Sequence, residues 1–333
     1  MKDFTLALAA TALTALSWGV YGPIMQAGVR GMGGSHLLPF IAVGVAYFLI
    51  AVLAAGAVLA TRGERGKWTV TGVAWSLAAG IGTAVGALGI ILALKYGGSA
   101  VYVMPLVFGC APVVNTFVTM GMSKSYKQAQ PLFYAGLILV IAGAVTVLVF
   151  KPTPTKPAAA ATHGALAPGA AKTPAAEAPP AAGAAHAEKA SPSTLASMEN
   201  KITGTAKVTL FILMTAICWG AYGPVLHKGQ VVMGGSRLRP FICVGIAYFL
   251  VAVLAPLPLL GSDHGAFTMS GGLWSLACGA VGAIGSLGII LAFNYGGKPI
   301  FVMPLVFGGA PVVNTLTSIA TSWPNLGTIH PIF

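Results

Sequence analysis

The stretch "MPLVFGCAPVVN", at residues 104–115, occurs again as "MPLVFGGAPVVN" at residues 303–314. The two copies differ at one position, where Cys110 is replaced by Gly309. Each copy carries two prolines and a central glycine inside an apolar run, a composition that interrupts a regular helix. Because this unusual stretch is written twice, 199 positions apart, it indicates a duplicated structural unit.

The duplication covers most of the chain on either side of this stretch. The segment "SWGVYGPIMQAGVRGMGGSHLLPFIAVGVAYFLIAVL" begins at Ser17 and matches "CWGAYGPVLHKGQVVMGGSRLRPFICVGIAYFLVAVL", which begins at Cys218. Likewise, "WSLAAGIGTAVGALGIILALKYGG" at residue 75 matches "WSLACGAVGAIGSLGIILAFNYGG" at residue 274. The final "HPIF" matches "QPLF" at residues 130–133, so we expect the second copy to lack the last element of the first.

The composition is that of a membrane protein. Hydrophobic residues make up 56% of the 333 residues and charged residues 7%, whereas a soluble domain has about 25% charged residues. The apolar residues come in blocks of about 20, the length that crosses roughly 30 Å of hydrocarbon. The net charge of +12 comes from scattered basic residues without a nucleic-acid motif. We therefore expect the lipid bilayer, and not a nucleic acid, as a partner.

Nine apolar blocks predict transmembrane helices, at about residues 5–28, 38–60, 72–95, 99–121, 132–150, 207–228, 239–260, 272–294 and 299–320. Continuous apolar runs favour helices over a β-barrel, whose strands alternate. The predicted fold class is an all-α integral membrane protein of two inverted five-helix repeats, with nine helices present and the tenth missing. Residues 1–151 form the first repeat, 152–205 an Ala/Pro-rich linker predicted to be disordered, and 206–333 the truncated second repeat.

The basic residues predict the orientation. They occupy the gap after the second span in the first copy and the region after the first span in the second copy: Arg62, Arg65 and Lys67, and Lys228, Arg237 and Arg239. Positive charge marks the cytoplasmic side of a membrane, so the two copies are expected to be inverted. This places the N-terminus in the cytoplasm and the linker outside the cell membrane, which is the inner or plasma membrane.

The paired repeats resemble the drug/metabolite transporter superfamily, in particular its EamA-like branch. The resemblance rests on Trp-Gly in the first helix of each copy and on "YAGLILVIAGAVTVLV", which is similar to the family's fifth-helix pattern. Many EamA-like proteins carry a Gly-Glu pair after the fourth helix, whereas this chain has "GMSKSY" at 121–126 and "TSWPNL" at 321–326. The resemblance implies a ten-helix carrier with a central site between its halves.

The repeated Pro/Gly stretch is the first candidate for that site. Interrupted spans at matching positions of two halves point to the binding site of a carrier. We expect these two helices to line a substrate cavity and to flex during transport, through Pro105, Pro112 and Asn115 and through Pro304, Pro311 and Asn314. The alternative is a kink needed only for packing, with each asparagine capping a backbone carbonyl.

The motifs "WGVYGP" (18–23) and "WGAYGP" (219–224) are the second candidate. Aromatic side chains enclose organic substrates, and these positions lie well inside their spans. The predicted cavity residues are Trp18, Tyr21, Pro23 and Gln26 in the first copy and Trp219, Tyr222, Pro224 and His227 in the second. The alternative is an interfacial aromatic belt. Tyr47 and Tyr248 are interpreted as packing or belt residues, and the glycine-rich runs of the third and eighth spans as sites of close helix packing.

Absent motifs limit the function further. None of the six acidic residues lies inside a predicted span, and there is no nucleophile triad, metal cluster or nucleotide motif. We therefore expect no enzyme, no metal and no cofactor. The function expected is transport of a small organic metabolite by alternating access, not driven through an intramembrane carboxylate. Alternatives are a non-transporting or decayed membrane scaffold and a sugar-uptake carrier of a related ten-helix family. A homodimer is left open.

Overall fold

The computed structural model describes residues 2–124 and 192–321, together with a few isolated positions between 135 and 146. Throughout these residues the regular structure is helical, without a β-strand. The predicted fifth span at 132–150 and the predicted linker up to residue 191 lie outside the described residues. The all-helical class is confirmed for the part of the chain that is described.

The described chain contains eight helices that are long and apolar enough to cross a membrane. They are α1 (Lys2–Gly31), α2 (Leu37–Arg62), α3 (Val70–Lys95), α4 (Ala100–Ser123), α5 (Pro192–Val232), α6 (Leu238–Ser262), α7 (Met269–Asn294) and α8 (Pro299–Thr321). At 1.5 Å per residue, each exceeds the roughly 30 Å of a bilayer core. The chain is therefore a multi-pass membrane protein, and eight of the nine predicted spans are confirmed.

The helices of the two halves share their local details. Both α2 and α6 pass through a π-helical segment, at Leu49–Ala54 and Leu250–Leu254. The hydroxyls of Thr69 and Thr268 cap α3 and α7 by accepting a hydrogen bond from the N–H three residues later, at 3.1 and 3.0 Å. The duplicated sequence thus produces duplicated local structure.

Helix α5 begins earlier than the sequence predicts. It starts at Pro192, so residues 192–205, which we assigned to the disordered linker, are helical. Proline is well accommodated in the first turn of a helix, where its missing N–H would have no partner. No further proline follows before Pro224, and nothing in between stops the helix.

The helices pack mainly across the two halves. Helix α1 lies against α7 and α8, α3 lies against α5 and α6, and α4 lies against α5 and α8. Contacts within one half, such as those of α1 with α3 and α4, are much smaller. Within the described residues, neither half therefore has a core of its own, and the described helices form one interlocked bundle.

Small residues allow this close packing. Thr14 of α1 donates a hydrogen bond to the carbonyl of Gly285 at 3.0 Å, and Thr215 of α5 donates to Gly86 at 3.0 Å. A Cβ atom on Gly285 or Gly86 would collide with an indole ring, that of Trp18 or Trp219. The predicted role of the glycine-rich runs in close helix packing is confirmed.

Two buried asparagines join α4 to α8. The amide of Asn115 donates to the carbonyl of Pro299 at 3.3 Å, and that of Asn314 donates to Ala100 at 3.1 Å. Both side chains are fully buried. Since each asparagine lies far along its own helix and binds the first turn of the other, α4 and α8 run antiparallel and are tied at both ends.

The connecting loops meet at two opposite ends of the bundle. At one end, the α1–α2 turn meets the α6–α7 loop, where Thr268 donates to the carbonyl of Gly31 at 2.7 Å. At the other end, the α2–α3 loop meets the α5–α6 turn, where the N–H of Lys67 donates to Met233 at 3.1 Å. Because α2 spans the distance between them, these are opposite ends, called below the Asp263 end and the Glu64 end.

The packing generates a prediction about stability. Gly285→Ala and Gly86→Ala each place a methyl group against an indole, and overpacking of this kind costs about 1–3 kcal/mol. We expect both variants to unfold at a lower temperature than the wild type in mild detergent, followed by tryptophan fluorescence. The controls are Gly109→Ala and Gly308→Ala, because no described residue has an atom within 4 Å of a Cβ atom at either position. If all four variants melt alike, the packing described here is wrong.

Candidate functional site

A small cavity lies at the centre of the bundle, between the halves. Its lining is mostly aromatic and comes from six helices: Trp18, Tyr21, Tyr47, Thr83, Trp219, Tyr222, Tyr248 and Gly282. The lining consists of four pairs of equivalent positions, because Thr83 in the first copy corresponds to Gly282 in the second. The cavity measures about 20 Å³, which is room for about one water molecule.

The aromatic rings of the two halves pack against one another. Trp18 stacks on Trp219 with 6.1 Å between ring centroids, and Tyr47 stacks on Tyr248 at 4.1 Å. Tyr21 meets Trp219 edge-on at 5.7 Å. These separations are close to those that favour aromatic pairs. Each of these ring pairs joins one half to the other, so relative movement of the halves must open or reshape the cavity.

Backbone carbonyls hold the two indoles in place. The indole N–H of Trp18 donates to Gly282 at 3.3 Å, and that of Trp219 donates to Thr83 at 3.2 Å. Both bonds cross between the halves. Because the indole has only this one donor, its orientation is set by the opposite half.

The tyrosine hydroxyls provide the polar groups of the cavity. Tyr47 donates to the carbonyl of Gly282 at 3.1 Å and also bonds Ser286. The buried hydroxyls of Tyr21 and Tyr222 lie close to those of Tyr248 and Ser286, respectively, but among the described residues neither has a partner in good hydrogen-bond geometry. A buried hydroxyl without a partner costs about 1–3 kcal/mol. A bound solute with hydroxyl, carbonyl or amide groups can supply the missing bonds.

The lining contains no charged side chain. An ionised group of a solute would find no counter-ion among these residues, and burial of an unpaired charge is costly. Among the described residues, no cluster of His, Cys, Asp or Glu is suited to a metal ion. The chemistry of the lining suits an uncharged organic group with an apolar or ring-like face and a few polar atoms, but the cavity must widen to admit anything larger than a water molecule.

Four of the residues predicted from sequence lie in the cavity lining, namely Trp18, Tyr21, Trp219 and Tyr222. The other polar candidates lie elsewhere. Asn115 and Asn314 bind helix-end carbonyls, as the packing alternative expected. The side-chain carbonyl of Gln26 accepts from the N–H of Ala100 at 3.3 Å, and His227 packs edge-on against Phe293 at 4.9 Å between ring centroids.

The predicted prolines are outside the cavity lining as well. They lie inside continuous helices: Pro23 in α1, Pro105 and Pro112 in α4, Pro224 in α5, and Pro304 and Pro311 in α8. The helices continue through each of them, because membrane helices satisfy the freed carbonyls through neighbouring groups.

Sequence reasoning missed two aromatic members of the cavity, Tyr47 and Tyr248, which it assigned to packing or to an interfacial belt. Their matched motifs "GVAYFL" and "GIAYFL" lie in the middle of the second and sixth helices. A polar aromatic residue at that depth in both copies was the available signal. Thr83 and Gly282 carried no signal, because they stand in a run of small residues.

A cluster around Glu64 closes one end of the bundle. The carboxylate accepts hydrogen bonds from the hydroxyl of Ser236 at 2.6 Å and from the backbone N–H groups of Arg237 and Leu238 at 2.7 and 3.0 Å. It also accepts from the Arg237 side chain at 3.0 Å, and Arg239 lies within 3.8 Å. Glu64 thereby caps the N-terminus of α6, a helix of the other half.

The equivalent cluster around Asp263 closes the opposite end. The carboxylate accepts from the hydroxyl of Ser35 and from the N–H of Leu37 at 3.3 Å, and lies 3.2 Å from Nδ1 of His36. Asp263 thus caps α2, again a helix of the other half. The carboxylates of Glu64 and Asp263 are only 5% and 3% exposed, so both clusters shield their charge from water.

These contacts shift the carboxyl pKa values. Burial alone raises the pKa of Glu64, but the hydrogen bonds from Ser236, Leu238 and Arg237 outweigh it and hold the pKa below its usual value. Burial also raises the pKa of Asp263, and the bonds from Ser35 and Leu37, with the nearby His36, again lower it below normal. Both groups are therefore ionised at neutral pH.

No protein-family model matches this chain, and no curated protein matches it either. The geometry of the cavity and of the two carboxylate clusters is thus the basis for a function. The cavity lies where the halves meet, and the clusters join the halves at both ends. The described residues thus form one small cavity between the halves and one carboxylate contact between the halves at each end.

The clusters generate a prediction about pH. Because both carboxyl pKa values are lowered in the fold, the clusters stabilise it fully at neutral pH, and this is lost as the pH falls below about 4. Glu64→Gln and Asp263→Asn should each cost about 1–3 kcal/mol at pH 7, measured by thermal unfolding, and should weaken the dependence on acid. Asp3→Asn, at an exposed position, is the control. An unchanged acid profile in both variants would contradict these assignments.

Proposed function

We propose that this protein is a carrier that moves a small, uncharged organic solute across a cell membrane by alternating access. The observation that carries the proposal is the aromatic cavity between two interlocked halves, closed at both ends by equivalent carboxylate clusters. A carrier needs a central site with two exits that open in turn. The unpaired hydroxyls of Tyr21 and Tyr222 are the proposed contacts for polar groups of the solute.

The halves are proposed to be inverted repeats. The equivalent turns 32–36 and 233–237 have the same sequence pattern, yet they meet partner loops at opposite ends of the bundle. This is the arrangement expected if an axis in the membrane plane relates the two copies. This support comes from the described helices alone and does not involve the fifth and tenth helices proposed for the repeats.

The distribution of charge supports a cytoplasmic Glu64 end. The described helices and loops place most Lys and Arg residues at this end: Lys2, Arg62, Arg65, Lys67, Lys124, Lys228, Arg237, Arg239 and Lys298. At the Asp263 end they place Arg30, Lys95, Lys201 and Lys207. Basic residues accumulate on the cytoplasmic side. The N-terminus is then cytoplasmic, α5 begins on the outer side of the membrane, and the linker that precedes it is proposed to lie outside.

The proposed family is the EamA-like branch of the drug/metabolite transporters. The Trp-Gly motifs of α1 and α5 support it, since Trp18 and Trp219 both reach the cavity. The order of the described helices fits a ten-helix plan. The acidic residues of the described chain, Asp3, Glu64, Glu199 and Asp263, lie outside the apolar parts of the helices. We therefore infer a facilitator or exchanger that is not driven through an intramembrane carboxylate.

The inverted arrangement predicts opposite accessibility of two equivalent positions. Arg65 and His264 are both exposed, and they are equivalent in the duplicated sequence. In a chain whose four native cysteines are replaced by alanine, Arg65→Cys should react with an impermeant maleimide only from the cytoplasmic side. His264→Cys should react only from outside. Labelling of both from the same side would exclude inversion.

The cavity predicts the effect of filling it. The Cβ atom of a residue at 282 would lie 3.1 Å from Tyr47 and 3.3 Å from Tyr21, so Gly282→Val occupies the space for the solute. Vesicles containing the wild type are incubated with a mixture of charged and uncharged metabolites, sugars and polyols included, and their contents are measured by mass spectrometry. We expect the wild type to take up uncharged solutes selectively. Gly282→Val should reduce this uptake about tenfold or more, which corresponds to a loss of about 1.4 kcal/mol in the free energy of solute binding.

Gly308→Ala is the matched control for this experiment, because in the described part of the chain no atom lies within 4 Å of a Cβ atom at that position. It should transport as the wild type does. If no solute enters vesicles that contain the folded wild-type protein, the carrier proposal fails and a membrane scaffold becomes the better explanation. If only charged solutes enter, the carrier stands, but the cavity does not select for neutral molecules.

A further inference from the structure

The two carboxylate clusters occupy equivalent positions but differ in their bases. Ser35 corresponds to Ser236, and Asp263 corresponds to Glu64. Where the Glu64 end has Arg237, the Asp263 end has His36. Arginine remains charged at every physiological pH, whereas histidine gains or loses its charge near neutrality. Only the Asp263 cluster therefore has a base that titrates in the physiological range.

One nitrogen of His36 has two competing neighbours. Its Nδ1 atom lies 2.6 Å from Nζ of Lys95 and 3.2 Å from Oδ1 of Asp263. This nitrogen accepts a hydrogen bond from the lysine ammonium only when it carries no proton. It donates a hydrogen bond to the carboxylate only when it does carry one. The two interactions therefore alternate with the protonation of Nδ1.

The two neighbours belong to different halves of the bundle. Lys95 is the last residue of α3, in the same half as His36, while Asp263 follows α6 in the other half. With Nδ1 unprotonated, His36 is bound within its own half. With Nδ1 protonated, it forms an ion pair across the halves, at the end of the cavity that Asp263 closes.

The surrounding charges keep His36 neutral near pH 7. Burial of the ring and then the Lys95 ammonium lower the pKa of His36, while the Asp263 carboxylate raises it against them. The result is a pKa below the usual value for histidine. Arg30 and His264 also lie at this end, but within the described residues neither forms an ion pair with His36, and Lys207 lies over the ring of Tyr96 at 4.9 Å.

Separation of the halves at this end changes the effects of Asp263 and Lys95 on the pKa of His36 unequally. Asp263 departs with its own half, whereas Lys95 stays beside His36. The carboxylate is the influence that favours the proton, so the closed end binds the proton more tightly than the open end. Opening also hydrates the ring, and burial is the largest influence that lowers the pKa of His36 in the closed state. Because the side chain is already 23% exposed there and the carboxylate lies 3.2 Å from Nδ1, we take the loss of the carboxylate as the larger change. By linkage, acid then stabilises the closed state.

We propose that His36 is a proton-binding gate residue: a proton on its Nδ1 binds the two halves together through Asp263 and closes the outer exit of the cavity. The Glu64 cluster, with Arg237 and Arg239, contains no histidine, so its contacts between the halves do not change over the same pH range. The gate rests on the proposed carrier function for its role in transport, but its opening is measurable without a transported solute.

Cys278 provides a native reporter for opening at the Asp263 end. It is fully buried, lies one helical turn from Gly282 toward the Asp263 end, and donates to the carbonyl of Tyr21 at 3.5 Å. The equivalent position toward the Glu64 end is Ala79, which is 2% exposed. One protein retains only Cys278, with the other native cysteines replaced by alanine. A second carries Ala79→Cys and no native cysteine.

The experiment measures how fast a charged methanethiosulfonate reagent modifies each reporter in full-length protein in vesicles, between pH 8 and pH 5.5. Each rate is divided by the rate of the same protein with His36→Gln, which corrects for the pH dependence of the thiol. We expect the ratio for Cys278 to fall about threefold or more on acidification, since one pKa unit of coupling corresponds to tenfold. The ratio for the Ala79→Cys reporter should stay constant.

A second variant tests the charge directly. His36→Arg carries a permanent charge beside Asp263, and its Cys278 should react slowly at every pH, at about the rate that the wild type reaches in acid. A Cys278 ratio that is independent of pH, or that rises in acid, overturns the gate. The same holds if Cys278 never reacts. If the Cys278 ratio is constant but solute uptake persists, the gate proposal is refuted and the carrier proposal stands. If the ratio changes as expected but no solute is taken up, only the carrier proposal is refuted.

Discussion

The structure depends on hydrogen bonds and close packing that cross from one half of the chain to the other. Membrane helices gain little from the hydrophobic effect when they associate, so they need small residues and polar bonds at their contacts. Here the glycines beneath Trp18 and Trp219 let the helices approach, and Asn115 and Asn314 tie α4 to α8. Because the main contacts of the described helices cross the halves, the described part of each half has no core without the other.

The same crossing contacts form the cavity and the two carboxylate clusters. The indoles that form the cavity are held by carbonyls of the opposite half. The carboxylates at the two ends of the bundle cap helices of the opposite half. Movement of one half against the other therefore changes the cavity and these end contacts together. Equivalent clusters at both ends make two such movements available, and the substitution of histidine for arginine makes them chemically different.

The sequence predicted the helices better than their partners. Apolar blocks of membrane length identified eight described spans, and the duplicated "WGVYGP" and "WGAYGP" motifs identified four cavity residues. Duplication shows which positions are equivalent, but equivalent positions need not touch, so the crossed packing was not predictable. Tyr47 was interpreted as a packing residue, and its ring does stack on that of Tyr248. The same two rings also line the cavity, which the sequence did not show. Glu64 and Asp263 resembled loop charges, because capping of a helix 170 or more residues away leaves no local pattern.

The central claim is that the two ends of one interlocked bundle open in turn around the cavity. The most direct test is the distance between spin labels across each end, with Arg65 and Lys298 labelled at the Glu64 end and the equivalent His264 and Ser99 labelled at the Asp263 end. Pulsed dipolar spectroscopy on protein in lipid should give two distances for each pair, a short one when that end is closed and a longer one when it is open. Conditions that close one end should favour the longer distance at the opposite end. A single unchanging distance for both pairs would contradict the account.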